Sequence, residues 1–297
     1  MWIRKIVLVG ILICTGIFVL GQARKQFHEE NSDDFDKVKL FLKVNSGDCF
    51  LKPNKNEGVL DVYSQREQQH FSHTYNKQII DRICQMNLIL EDNQGQSLGS
   101  AISTSLFGPD NKSTDNLWQV FISEGKPYDL SLNYGIGTAD IDLSGLSIET
   151  LKIHTGSADV NIGYFSGQYN KVVMDTFYVK VDLGSVRVTN LNHAKSKYVI
   201  ADVGFGNLML DLSDVSVMPS TIKGNVGAGT MHITLPRSST PVKVTLTDSW
   251  LCRIHLPKNF RQLSENVYVN EYFGDNNKNL LTFNLDISMG TLIFVEK

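Results

Sequence analysis

The sequence predicts an all-β chain built as a parallel β-solenoid, and three observations predict it. A glycine turn followed by alternating apolar and polar residues recurs along the chain. The glycine keeps the same place relative to the apolar residues in each copy. No segment carries a convincing amphipathic helix. A motif that recurs every 20–50 residues or so marks a repeat architecture, in which neighbouring units supply the core that one unit cannot bury alone. Stacked at about the 4.8 Å strand spacing, such glycines turn the chain at the same corner coil after coil.

The N-terminus comes first. Arg4 and Lys5 precede an uncharged run from Ile6 to Ala23. That is the layout of a signal peptide, with Gly21 and Ala23 as small residues before a cleavage site. The run is also just long enough to cross a bilayer of about 30 Å as a helix. Residues 1–23 are therefore read as a signal peptide or a membrane anchor helix, with cleavage left open, and the rest as lying outside the cytoplasm. Residues 24–36, "RKQFHEENSDDFD", are charged without apolar periodicity and read as a solvated linker. Residues 37–297 form the solenoid domain.

Within it, an early copy, "LKVNSGDCFLK" at 42–52, carries Gly47. Residues 65–84 are read as a polar loop entering a strand at 82–91. The two clearest copies are "GIGTADIDL" at 135–143 and "HTGSADVNI" at 154–162. Laid over each other at an offset of 19, they put Gly137 on Gly156, Ala139 on Ala158, Asp140 on Asp159 and Ile141 on Val160. Period-two alternation turns Ala139, Ile141 and Leu143 inward and Asp140 and Asp142 outward. Further copies carry Gly184, Gly206, Gly229 and Gly290. The seven structural corner glycines are thus Gly47, Gly137, Gly156, Gly184, Gly206, Gly229 and Gly290, needed because the corner takes backbone angles a Cβ would obstruct. Open strand edges invite aggregation, so the irregular residues 53–80 and 257–279 are the expected edge covers.

These residues carry a resemblance. The stretch from "LWQVFISEGKPYDLSLNYGIGTADIDLSGL" through "IADVGFGNLMLDLSD" resembles the toast-rack (DUF2154) family, itself related to LiaF-type and adhesin-like (DUF4097-like) cell-envelope β-solenoid proteins. The resemblance covers roughly residues 37–235. It departs at Ser157, where a second glycine is usual, and in "DLGS", which keeps only Gly184. It implies a right-handed, single-stranded parallel solenoid on the envelope side of a membrane, with no catalytic residues to carry over.

Other chemistry is poorly represented. A formal net charge of −3 lacks the basic footprint of nucleic-acid binding. "GIGTAD" lacks the third glycine and the helix of a dinucleotide loop, and no Lys follows as in a P-loop. The spacing from Gly137 to Asp140 does not fit a calcium β-roll. His70 and His73 form an HxxH without a third ligand at zinc spacing. His154 and His232 read as exposed. Asp142, Asn161 and Arg187 form the one weak constellation for glycan cleavage. Of Cys14, Cys49, Cys84 and Cys252 none forms a CxxC; the last three are expected as free buried thiols, with a single bridge as the alternative.

The expectation is a non-enzymatic envelope protein, with no catalytic, metal or cofactor-binding residues. It would be exported or membrane-tethered and present a strand face to an envelope protein or glycan. A LiaF-type module modulating a membrane sensor or transporter under envelope stress is the alternative.

Overall fold

A computed structural model of the chain describes residues 24–55, 58–64, 71–92, 117–237, 239–248, 250–274 and 277–297. The expected export or anchor helix at 1–23 lies outside them. Among the described residues no helix is long and apolar enough to cross a membrane.

The chain begins with β1 (Arg24–Glu30), then turns a corner between β2 (Lys37–Ser46) and β3 (Asp48–Asn54). β4 (Gly58–Ser64) and β5 (Phe71–Ile80) precede a second coil of β6 (Ile83–Asp92) and β7 (Leu117–Ser123). A regular run follows: β8 (Pro127–Ile136) with β9 (Thr138–Asp142), then β10 (Ser147–Thr155) with β11 (Asp159–Gly163). It continues with β12 (Met174–Val181) and β13 (Ser185–Thr189), β14 (Ser196–Val203) and β15 (Asn207–Asp211), and β16 (Ser220–Val226) and β17 (Thr230–Leu235). β18 (Val242–Asp248) and β19 (Arg253–His255) make another corner, and β20 (Arg261–Ser264) and β21 (Val267–Val269) a hairpin. β22 (Leu281–Ile287) and β23 (Thr291–Glu296) make the last corner.

The two strands of a corner join different sheets. The first sheet runs β1-β4-β7-β3-β9-β11-β13-β15-β17-β23-β19, the second β20-β21-β18-β22-β16-β14-β12-β10-β8-β2-β6-β5. The all-β expectation is borne out as two large, mostly parallel sheets. Coil order departs from chain order at both ends. The β6–β7 coil lies outside β2–β3, and β22–β23 is inserted between β16–β17 and β18–β19. Antiparallel strands cover three of the four sheet ends: β5 covers β6, β4 and β1 cover β7, and β21 and β20 cover β18; the fourth end is the three-residue β19. The edge covers expected at 53–80 and 257–279 are β4 and β5, and β20 and β21, with β1 added from outside those ranges.

The core lies between the sheets as aliphatic ladders. On the first sheet Leu51, Ile141, Ile162, Val188, Leu210, Ile233 and Phe294 stack in register, all buried. On the second, Leu132, Ile153, Val179, Ala201, Gly224 and Leu285 do the same. Where that ladder narrows to Gly224, Leu285 Cδ2 and Met231 Cε occupy the space, 2.8 and 3.0 Å from where a Cβ would stand. Each buried Leu or Ile contributes about 1.5–3 kcal/mol, and its neighbours in the ladder belong to the coils above and below.

Three readings are corrected. Residues 24–30 are not a solvated linker but β1, hydrogen-bonded along β4. Residues 71–80 are not loop but β5, paired with β6 from Phe71 to Ile80. The clearest coils stack at an offset of 21, not 19: Thr138 pairs with Asp159, Ala139 with Val160 and Ile141 with Ile162. A two-residue slip keeps every side chain on its own face, so alternation cannot distinguish the two registers.

Candidate functional site

The corner sets the geometry. Gly47, Gly137, Gly184, Gly206, Gly229 and Gly290 stack in one column, each carbonyl or its neighbours meeting the next coil. Gly156 does not belong to it. It lies over Gly135, and Ala158 fills its place, because Asp159 rather than Ser157 donates its N–H to Gly137 O. The reason for glycine also differs along the column. Only Gly47 and Gly137 have positive φ, 98° and 117°. At Gly184, Gly206 and Gly229 the neighbouring backbone excludes a side chain: a Cβ would stand 2.1, 2.2 and 2.2 Å from the carbonyl oxygens of Ala158, Gly184 and Gly206.

The residue before each of the last four column members faces solvent. Leu183, Phe205 and Met289 are 59%, 73% and 58% exposed there. Trp250, 91% exposed, lies in the turn between β18 and β19, which packs beside the turn carrying Met289. The corner of the later coils is thus an apolar ridge.

The outer face of the first sheet does not assemble the constellation expected for glycan cleavage. Asp140, Asn161 and Arg187 share a row, and Asn161 Nδ2 donates to Asp140 Oδ1 at 3.1 Å. Asp142 sits one row away, where its Oδ1 accepts from the Ser144 N–H and hydroxyl and closes the turn after β9. Asp140 and Asp159 are not stacked: Asp159 pairs with Thr138 and accepts from Ser185 Oγ at 2.6 Å. His154, expected to be exposed, is half-buried and paired, its Nε2 2.8 Å from Asp182. His70 lies outside the described residues and His73 is exposed. Among the described residues no three His, Cys, Asp or Glu side chains gather as a metal site. Cys49, Cys84 and Cys252 are free; the first two are buried and Cys252 half-buried. Burial pushes the Cys49 thiol up to about 12 and raises that of Cys84 as well.

On the outer face of the second sheet, β5, β6, β2, β8 and β10 form the floor of a groove of about 510 Å³. Lys39, Phe41, Asp129 and Lys152 line it, with amide side chains along its β5–β6 side.

Several polar anchors carry no sequence pattern. Asn170, wholly buried, accepts the Ile148 N–H at 2.8 Å and donates to Ile148 O at 2.7 Å, satisfying both backbone groups at the start of β10. Asn270 does the same for Val242 N–H and Thr240 O near β18, each at 2.9 Å. Buried polar backbone needs such partners where a strand ends at a corner. Asp61, 2% exposed, holds β1 to the stack: Lys25 Nζ lies 2.8 Å and His28 Nδ1 2.6 Å from its Oδ1, and Asn54 Nδ2 donates to Oδ2 at 3.2 Å. Burial would raise its carboxyl pKa, but the hydrogen bonds from Lys25 and His28 outweigh burial and hold it below the usual carboxylate range. His193 is buried against Asp214, Nε2 to Oδ2 2.8 Å, and stacks on Tyr169 at 4.0 Å.

The repeated corner and paired sheets are the setting for the comparison with known families. A family model described as the N-terminal domain of toast_rack, DUF2154, matches residues 20–189, more than half of the chain. The chain belongs to the toast-rack family. A solved structure that it resembles is titled "Crystal structure of a putative cell adhesion protein from Clostridium sporogenes ATCC 15579"; it is 16% identical, with a TM-score of 0.41, over 93% of this chain and 99% of that one. No curated protein matches the toast-rack chain.

Proposed function

We propose that this toast-rack protein is a non-catalytic component of the cell envelope, exported or tethered through its N-terminal segment. Its two-sheet stack is a right-handed, single-stranded β-solenoid that presents a strand face to another envelope macromolecule. The observation that carries this reading is the capping of three of the four sheet ends by antiparallel strands, over β6, β7 and β18. The fourth end is the three-residue β19, so the long faces are the larger surface that the stack offers. Family membership supports the envelope setting. Fluorescently labelled protein should bind isolated envelopes saturably and be displaced by unlabelled protein, and protease added outside the cytoplasmic membrane should reach the ladder. Non-saturable binding, or a protein found only in the cytosol, overturns the reading.

The exposed ridge favours a second reading. A row of exposed apolar side chains marks a protein contact more readily than a glycan contact. A LiaF-type module, modulating a membrane sensor or transporter in envelope stress, would use Leu183, Phe205 and Met289 in this way. A photoreactive residue at 205 should then crosslink to a membrane protein in cells, and its failure to do so removes this reading.

A further inference from the structure

We propose that the groove on the outer face of the second sheet binds a stretch of acidic polysaccharide whose sugars carry carboxylates. The inference rests on the envelope-binding reading above and names its site and ligand class.

The floor is a grid set by strand register. In one row Gln78 pairs with Gln85, Gln85 with Lys39, Lys39 with Asp129 and Asp129 with Thr150. In the next, Asn76 pairs with Asn87, Asn87 with Phe41, Phe41 with Ser131 and Ser131 with Lys152. Four strand-to-strand steps of about 4.8 Å make a track roughly 19 Å long, the reach of roughly three to four pyranose units. The track is continuous because its five strands are hydrogen-bonded neighbours.

Three properties of the grid select the ligand. First, the amide side chains on β5 and β6 make no hydrogen bond to the described residues. Each amide offers donors and an acceptor together, which suits sugar hydroxyls, themselves both donor and acceptor. Second, Phe41 is a half-buried ring in the middle of the polar row. Its face gives the C–H side of a pyranose an apolar surface to lie on. Third, the charges do not cancel. Asp129 is already engaged, its Oδ2 2.8 Å from Lys37 Nζ and its Oδ1 accepting from Thr150 Oγ1 at 2.8 Å. Lys37 is shared with Glu149. Lys39 and Lys152 have no carboxylate partner among the described residues. Two strand steps and one two-residue step place them about 12 Å apart, so they suit carboxylates on separate sugars of one chain rather than a single small anion. Asp129, bound on both oxygens, is not positioned to act on a glycosidic bond. The site is one for binding.

The test uses the full-length protein in mild detergent, titrated by calorimetry with oligogalacturonate and oligomannuronate hexamers. At least one should bind saturably, more weakly as salt rises. A neutral cello-oligosaccharide of equal length should bind about tenfold or more weakly, and Lys39→Gln with Lys152→Gln should cost the uronate about tenfold or more, as expected for lost charge-assisted contacts. Phe41→Ser should weaken both ligand types. All of these positions are outward-facing, so the melting curves of the variants should match the parent. No uronate binding, equal binding of the neutral sugar, equal binding of a single-stranded oligonucleotide of the same charge, or an unaffected double variant each overturns the proposal. If the variants lose nothing while binding to isolated envelopes persists, the site is wrong and the envelope reading stands. A parent protein that binds neither the uronates nor isolated envelopes means the envelope reading has failed as well.

Discussion

Gly206→Ala adds one methyl group at the most crowded part of the corner. The new Cβ would stand 2.2 Å from Gly184 O, 2.6 Å from Val181 Cγ1 and 3.0 Å from the Leu183 carbonyl carbon. The first contact is with backbone, so a rotamer change cannot relieve it. Moving the coils apart stretches the hydrogen bonds that stack them, Asn207 N–H to Gly184 O and Thr230 N–H to Gly206 O, both 3.0 Å. Overpacking a filled site costs about 1–3 kcal/mol, and a weakened backbone hydrogen bond adds about 1 kcal/mol. The stiffer unfolded chain offsets about 0.4–1 kcal/mol of this. The net loss is about 1–3.5 kcal/mol. Ala158, one of the column's own members, supplies the control. There Thr155 Oγ1 donates to the Ala158 carbonyl at 2.8 Å and the stacking bond from Ser185 is longer, 3.2 Å. Ala158→Gly removes a methyl without creating an overlap and should cost no more than about 1 kcal/mol. Urea unfolding followed by circular dichroism reads both as midpoint shifts at constant slope. An unchanged midpoint for Gly206→Ala, or a larger loss for Ala158→Gly, would refute the close-approach account.

Gly137→Val should lose more than Gly206→Ala, since it adds a positive φ of 117° to a 2.1 Å approach to Gly47 O; the same urea series checks the order. Asn170→Leu should destabilise by about 2–4 kcal/mol, because it leaves the buried Ile148 N–H and C=O without partners, with thermal unfolding as the measure. Among Cys49, Cys84 and Cys252, native-state alkylation at pH 8 mapped by mass spectrometry should find Cys252 first. The raised pKa values of the other two keep them as thiols until the chain unfolds. Asp61 has a depressed folded pKa, so its contribution is complete above the unfolded value of about 3.9 and is lost as pH falls through the lower folded value. The parent should therefore release β1 to acid protease as pH drops below about 4, whereas Asp61→Asn should show it released already at pH 7 by trypsin cleavage after Lys25.

Much of the interior was legible because parity is a strong signal. Ile141, Ile162, Val188 and Leu210 are buried where alternation put them. Register was not, because Ala139 can lie over Ala158 or under Val160 without any residue changing face. Coil order at the ends was hidden for a related reason: one alternating strand looks like another, and nothing in β22 states that it will pair with β16 on one side and β18 on the other. β5 was missed because its inward positions are not all apolar. Tyr75 and Lys77 turn toward Glu29, with Tyr75 Oη donating to it at 3.0 Å and Lys77 paired with it as well. An inward charge erases the alternation that would announce a strand. The groove depended on that strand. Gln85, Lys39 and Phe41 could be assigned to an outer face from sequence, but the amides of β5 join them only once residues 71–80 are known to pair with β6. The buried asparagines followed no periodicity at all, since their partners are backbone groups at strand ends.

The two exposed features differ in how they relate to the family. Every residue of the groove falls between Lys39 and Lys152, inside the stretch that the toast-rack model matches. Of the ridge, only Leu183 lies within that stretch, while Phe205, Trp250 and Met289 lie beyond residue 189. Phe205 lies in the β14–β15 corner, Met289 in the inserted β22–β23 coil and Trp250 in the turn of the β18–β19 coil outside it. The groove therefore lies wholly within the matched N-terminal domain and most of the ridge beyond it. The two can be separated physically, because they occupy different surfaces, an outer sheet face and a corner. Charge-neutral substitution at Lys39 and Lys152 should leave a crosslink from position 205 intact, and Phe205→Ser should leave uronate binding intact. Coupled loss in either direction would mean that one ligand spans both surfaces, and the division of recognition between groove and ridge would fall.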